Sequence, residues 1–137
     1  MMEENAMSSE DKVRILVLDD ETIVLKRLGP ALEKAGYEVE VFSRSSEASA
    51  RVEEKRFDIV ITDLKMEGLD GMHFLARVKE RSPRTEVIVI TGFATMDTAR
   101  ESYKKGVFDF LAKPFKLGEI METVKKAEQK IRTQGPA

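Results

Sequence analysis

Four aliphatic stretches of this sequence run into residues able to do chemistry. VRILVL leads into Asp19, Asp20 and Glu21, DIVIT into Asp63, EVIVI into Thr91 and Gly92, and VFDFLA into Lys113 and Pro114. Asp19, Asp20 and Asp63 are hard oxygen donors. A divalent cation such as Mg²⁺ takes oxygen ligands in near-octahedral geometry and keeps several waters, so two or three converging carboxylates would suit it. Without a cation the same crowding is costly, because like charges disfavour one another's ionisation. Each residue also has an ordinary use: Asp20 as the cap of a helix starting near Glu21, Asp63 as the end of a strand, Lys113 as a solvated lysine.

Composition narrows the chemistry. With 137 residues, 42% hydrophobic and 35% charged, the chain suits one globular domain and excludes a disordered or collagen-like chain. Lys and Arg number 23 against 25 Asp and Glu, a formal charge of −2, so no basic excess is available for nucleic-acid phosphates. The absence of Cys removes disulfides, thiolate metal sites and thiol nucleophiles, and the single His, His73, cannot build a His-rich site. Any metal must be held by oxygen. No run approaches the roughly 20 apolar residues of a membrane span, and the acidic opening is unlike a secretory signal. A cytoplasmic protein that does not contact membrane is expected.

The elements that must position these residues follow from periodicity. Strands are predicted over Val13 to Leu18, Val39 to Phe42, Ile59 to Ile61, Val87 to Ile90 and Val107 to Leu111. The first, third and fourth are nearly continuous aliphatic runs, the mark of strands buried on both faces of a parallel sheet. The other two alternate more and suit sheet edges. Helical spacing joins Val24, Leu28, Leu32 and Ala35; Ala48 and Val52; Met72, Leu75 and Val78; Ala99 and Tyr103; and Leu117, Ile120, Met121, Val124 and Ile131. Gly36 and Gly106 follow basic last turns, as expected of a helix-terminating glycine. Gly29 and Pro30 predict a kink in the first helix, with a break into two helices as the alternative.

Strict alternation of strand and helix implies parallel strands, right-handed crossovers and helices on both faces. The fold class is therefore α/β, a doubly wound five-stranded parallel sheet with five helices. In such folds ligands bind outside the carboxyl ends of the strands, where the candidate residues stand.

Together LVLDDE, DIVITDLKMEGLDG, VIVITGFAT and DFLAKPF resemble, in order and spacing, the receiver domains of two-component response regulators over residues of about 13 to 131. The resemblance implies the flavodoxin-like receiver fold with strand order 2-1-3-4-5. It also implies that Asp63 accepts a phosphoryl group from a sensor histidine kinase or a phosphotransfer protein. Asp19, Asp20 and Asp63 would hold Mg²⁺, Asp20 by direct contact and Asp19 partly through water, with the backbone carbonyl of Lys65 as a further ligand. Lys113, aimed inward by a cis peptide before Pro114, and Thr91 would each meet a phosphoryl oxygen.

The resemblance further implies that an aromatic ring turns inward when Thr91 moves. Phe110 holds that place, without the hydroxyl of a tyrosine, and a plain core phenylalanine is the alternative. The output would be a population shift read on the fourth helix, fifth strand and fifth helix, a surface that could also pair two copies. Such a protein is a regulator that catalyses only its own phosphorylation and dephosphorylation. Tyr103 is expected as a packing residue within reach of a partner, and His73 as exposed.

Some positions depart from the pattern. Glu67 adds a negative charge after Asp63, where many receivers have proline. Phe93 and Lys65 occupy positions that, by the resemblance, flank the water attacking the phosphate, and a bulky apolar group there is expected to slow hydrolysis. Lys65 also stands where haloacid-dehalogenase-type phosphatases carry a second aspartate, which argues against that class. The acids after the first strand would repel a flavin or dinucleotide phosphate. An interaction module independent of phosphorylation stays as an alternative, although none of the active-site residues is lost. Residues 1–11 are expected to form a disordered tail, 12–131 the domain and 132–137 a C-terminal tail. The strings TGFATMDTAR and DFLAKPF look most like receivers of alternative-sigma-factor activators, so any DNA contact would belong to other residues.

Overall fold

The computed structural model describes residues 12–66 and 69–134, with 65, 66, 69 and 70 described by backbone alone. The elements are β1 (Arg14–Leu18), α1 (Thr22–Lys34), β2 (Glu38–Phe42), α2 (Ser45–Glu54), β3 (Ile59–Thr62), β4 (Lys65–Met66), β5 (Leu69–Asp70), α3 (Gly71–Arg81), β6 (Glu86–Thr91), α4 (Met96–Lys104), β7 (Asp109–Ala112) and α5 (Leu117–Thr133). Each aliphatic run becomes a strand. The five main strands are all parallel in the order β2-β1-β3-β6-β7, the expected order 2-1-3-4-5. The register pairs Ile15 with Ile59, Leu18 with Thr62 and Thr62 with Val89, which brings the carboxyl ends of the three central strands to one edge.

Alternation along the central strands sorts their side chains into two cores. Ile15, Val17, Ile59, Ile61, Ile88 and Ile90 meet Leu28 and Leu32 of α1 and Ile120 and Val124 of α5 on one face. Leu16, Leu18, Val60, Val87 and Val89 meet Ala48 and Val52 of α2 and Phe74, Leu75 and Val78 of α3 on the other. Each such Val, Leu, Ile or Phe side chain removed from water contributes about 1.5–3 kcal/mol. With both faces covered, the sheet is rigid enough to hold the groups that follow its strands.

The helix ends obey the predicted chemistry. Gly36 has φ +104° and Gly106 φ +93°, a region open to glycine at little steric cost. After α1, Gly36 N–H donates to Glu33 O and Tyr37 N–H to Leu32 O. After α4, Gly106 N–H donates to Tyr103 O and Val107 N–H to Ser102 O. That second cap explains why the last strand starts at Asp109 rather than at the expected Val107. The Val107 N–H is already used by the helix end, while its side chain packs in the second core.

Three further differences stand out. α1 runs unbroken through Pro30, so the two-helix alternative is excluded. Pro30 and Lys26, the residue whose carbonyl loses its partner, are both exposed, and water can replace the missing bond. Gly29 faces inward, and a Cβ there would meet Val41 Cγ1 at 3.3 Å, so the glycine permits a close approach of α1 to β2. The antiparallel pair β4–β5 was not expected, because strands of two residues carry no readable period. Finally, α5 continues to Thr133, two residues beyond the expected boundary at Ile131. Residues 1–11 and 135–137 lie outside the described residues, and so does the tail assignment made for them.

Candidate phosphoacceptor site

The strand ends converge as the fold requires. Asp63 N–H donates to Leu18 O and Asp19 N–H to Phe42 O, both at 3.1 Å, so each acid directly continues its strand's ladder. Asp19 is fully buried, Asp63 is 4% exposed and Asp20 faces solvent. One carboxylate oxygen from each of the three lies within 4.8 Å of the others. Asp19 Oδ1 accepts from Glu21 N–H at 2.8 Å, tying it to the start of α1. The N-cap of α1 is Glu21, whose side chain makes no capping bond, so the simple reading of Asp20 as N-cap is not realised.

Lys113 is no solvated surface lysine. The Lys113–Pro114 peptide is cis, the Lys113 N–H donates to Thr91 O at 2.8 Å, and the side chain is only 12% exposed. Its Nζ lies 2.9 Å from Asp63 Oδ2, 2.8 Å from Asp19 Oδ2 and 3.3 Å from Glu21 Oε1. Burial works against its charge, but close contact with the Asp19 and Asp63 carboxylates and their negative charge outweigh burial and hold its pKa above the usual lysine range. Burial pushes the Asp19 carboxyl above the usual carboxylate range, only partly offset by Lys113 and by the Glu21 N–H.

The Mg²⁺ expectation has a physical test in the buried oxygens. Asp19 Oδ2 is fully enclosed and, among the described residues, receives no well-aligned hydrogen bond. The ammonium 2.8 Å away supplies charge rather than good geometry. An enclosed anionic oxygen lacking an aligned donor, on a carboxylate grouped with two others, fits a hard dication. The backbone of Lys65 forms β4, and its side chain is not described; Glu67 lies outside the described residues.

Thr91 ends β6 fully buried, and its Oγ1 accepts from Phe93 N–H at 3.1 Å. Phe110 on β7 is half-buried and packs against the second core. Tyr103 is half-exposed and donates its hydroxyl to Asp109 Oδ1 at 3.1 Å; burial, this bond and the aspartate charge raise its pKa. His73 is exposed on α3, as expected.

One contact and one residue were not foreseen. Glu21 joins the Lys113 cluster, and its place after Asp19 and Asp20 was the available signal. Gly71 opens α3 hard against the loop that follows β3: a Cβ there would lie 2.5 Å from both Asp63 O and Leu64 O. Its N–H donates to Leu64 O at 2.7 Å, so this glycine sets the path of the chain beside Asp63.

Comparison with known proteins agrees with this geometry. The profile of the response regulator receiver domain matches residues 15–125. The transcriptional regulatory protein ZraR of Salmonella typhimurium is 35% identical over 124 residues, covering 90% of this chain and 28% of that protein. The chain thus spans little more than a quarter of that relative's length. A CheY-like response regulator receiver domain protein from Methanospirillum hungatei superposes with a TM-score of 0.87 at 27% identity, covering 90% of this chain and 99% of that one. The beryllofluoride-activated NtrC4 receiver domain dimer gives 0.81 at 37% identity, covering 86% and 98%. The chain belongs to the response regulator receiver domain family of two-component signalling. Among the described residues no helix is long and apolar enough to cross a membrane.

Proposed function

We propose that Asp63 is the phosphoacceptor, taking a phosphoryl group from a phosphohistidine on a sensor kinase or phosphotransfer protein. One observation carries this reading: a nearly buried carboxylate shares one small site with two further aspartates and a lysine ammonium 2.9 Å away. An Asp63 oxygen forms the new bond to phosphorus while the phosphorus–nitrogen bond breaks, and the departing imidazole nitrogen keeps the electron pair and takes up a proton. A carboxylate is a weak nucleophile, so the rate must come from alignment and charge neutralisation.

Asp19, Asp20, Asp63 and the Lys65 backbone carbonyl would hold Mg²⁺, which when bound offsets negative charge on the transferring oxygens. Lys113 supplies a second positive charge, and its position between Asp19 and Asp63 lets it follow a phosphoryl oxygen at little cost in reorganisation. Thr91, beside the site at the end of β6, would donate its hydroxyl to another phosphoryl oxygen, with Phe110 following it inward. The protein then acts as a regulator that turns over only its own phosphate, in the cytoplasm. Its outward signal would be a repacking of α4, β7 and α5, a face that also suits pairing of two copies. Met96, 77% exposed, and Tyr103 on α4 favour such a use, as does the dimer of the NtrC4 receiver domain.

The test is to incubate the protein with Mg²⁺ and acetyl phosphate, with Asp63→Asn alongside, and to weigh both. One added phosphoryl group on the parent alone is expected. No uptake by a folded parent that binds Mg²⁺ overturns the reading in favour of an interaction module independent of phosphorylation.

A further inference from the structure

A line of hydrogen bonds runs from Thr91 into the first turn of α4. Thr91 Oγ1 accepts from Phe93 N–H at 3.1 Å, and Phe93 O accepts from Thr98 Oγ1 at 2.8 Å. Thr98 is half of the box that caps α4: Thr95 N–H donates to Thr98 Oγ1 at 3.0 Å, and Thr98 N–H to Thr95 Oγ1 at 3.1 Å. Farther along the helix, the hydroxyl of buried Ser102 donates to Thr98 O at 2.7 Å. A hydroxyl has one proton, and of the acceptors within reach Phe93 O at 2.8 Å is closer than Thr95 Oγ1 at 3.0 Å or Thr95 O at 3.1 Å; Phe93 O also accepts from Thr95 N–H at 3.1 Å, so the cap and Phe93 are tied twice. The Phe93 ring is 57% exposed, so hydrogen bonds rather than core packing restrain this part of the loop.

We propose that Thr98 is a positioning residue that holds Phe93, and through it the Thr91 hydroxyl, so that phosphorylation is coupled to the cap of α4. This rests on the reading of Asp63 as acceptor and Thr91 as a donor to the phosphoryl group. When Thr91 Oγ1 turns to that group, the Phe93 N–H loses the acceptor that now orients it. In this proposal the peptide groups on either side of Phe93 Cα reorient with it, and the bond from Thr98 to Phe93 O goes with them. The Thr98 hydroxyl is then shared differently within the capping box, and the first turn of α4 loosens. Coupling of this kind is reciprocal at equilibrium: if occupying the site loosens the cap, loosening the cap favours occupying the site by the same factor.

The experiment uses the whole protein with Thr98→Val, which keeps the branched shape but loses the hydroxyl, and Thr98→Ser, which keeps the hydroxyl. Beryllofluoride with Mg²⁺ serves as the phosphoryl mimic, and amide hydrogen exchange is read over residues 96–104. In the parent and in Thr98→Ser, the mimic should speed exchange in the first turn by about fivefold, the size of losing one cap. Thr98→Val should exchange that much faster from the start and respond little, and should half-saturate at about fivefold less beryllofluoride. A Thr98→Val protein that responds as the parent does, with unchanged half-saturation, overturns the proposal. A parent that takes up acetyl phosphate yet shows no change in α4 overturns it too and spares the acceptor reading, whereas a parent that binds neither reagent overturns both.

Discussion

Lys113 Nζ stands 2.9 Å from Asp63 Oδ2, with both side chains nearly enclosed. The same ammonium touches Asp19 Oδ2, so one lysine partly neutralises two buried acids that otherwise face each other. Removing one partner of a buried ion pair leaves uncompensated charge, at a cost of about 3–5 kcal/mol. Lys113→Ala should therefore lose on the order of 3 kcal/mol in urea denaturation with a chelator present. Excess Mg²⁺ should return much of that loss while phosphoryl uptake stays impaired. Equal loss with and without Mg²⁺ would argue against carboxylate repulsion as the cause.

Gly71 offers a separate route to the acceptor. An alanine there places a methyl carbon 2.5 Å from two carbonyl oxygens, both backbone, so the chain beside Asp63 must shift. Gly71→Ala should cost about 1–3 kcal/mol, as overpacking does, and reduce phosphoryl uptake at saturating donor. Wild-type uptake in this variant would mean that α3 yields instead.

Phe93 is mostly in water, so changing it should leave stability within about 0.5 kcal/mol. Phe93→Glu should nonetheless lose its phosphoryl group faster if residue 93 flanks the attacking water, the place that the family resemblance gives it. A dephosphorylation time course by mass spectrometry checks this, and an unchanged lifetime would remove Phe93 from the account.

Acid sensitivity should come partly from the lattice on β2. Glu40 accepts from Arg51 Nε and Nη2 at 2.8 and 3.0 Å and from Lys55 Nζ at 3.1 Å. The bond from Arg51 holds its carboxyl below the usual glutamate range, against an opposing effect of burial and with further help from Lys55. A folded-state pKa below the unfolded one gives stability that is present above the ordinary glutamate value and lost as pH falls through the lowered one. Glu40→Gln should flatten that stretch of the acid limb in melting temperature against pH. Parallel curves for variant and parent would show that the lattice is energetically idle.

The three central strands were legible because burial on both faces forces continuous aliphatic runs, and each of those runs ends where the chain meets the site. Asp19, Asp20, Asp63, Thr91 and Lys113 could be read for that reason, since position along the chain fixed position at the sheet edge. Val107 was placed in the last strand because composition does not reveal a backbone N–H already engaged by the cap of α4. A break at Pro30 stayed open as the alternative because the sequence does not say which side of a helix faces water. Gly71 was silent since its role is an absent atom, visible only once Asp63 O and Leu64 O are beside it. Glu21 was counted among the acids, but its reach to Lys113 depends on how α1 leaves the sheet.

The charged lattice has a consequence for solubility. β2 is an outermost strand of the sheet, and such strands expose backbone groups that can recruit a strand from another molecule. Here Glu38 and Glu40 stand on that strand, held by Arg51 and Lys55 from α2 and the turn after it. An incoming strand would have to lie against fixed ion pairs and desolvate them, which disfavours fibril-like stacking along this border of the molecule.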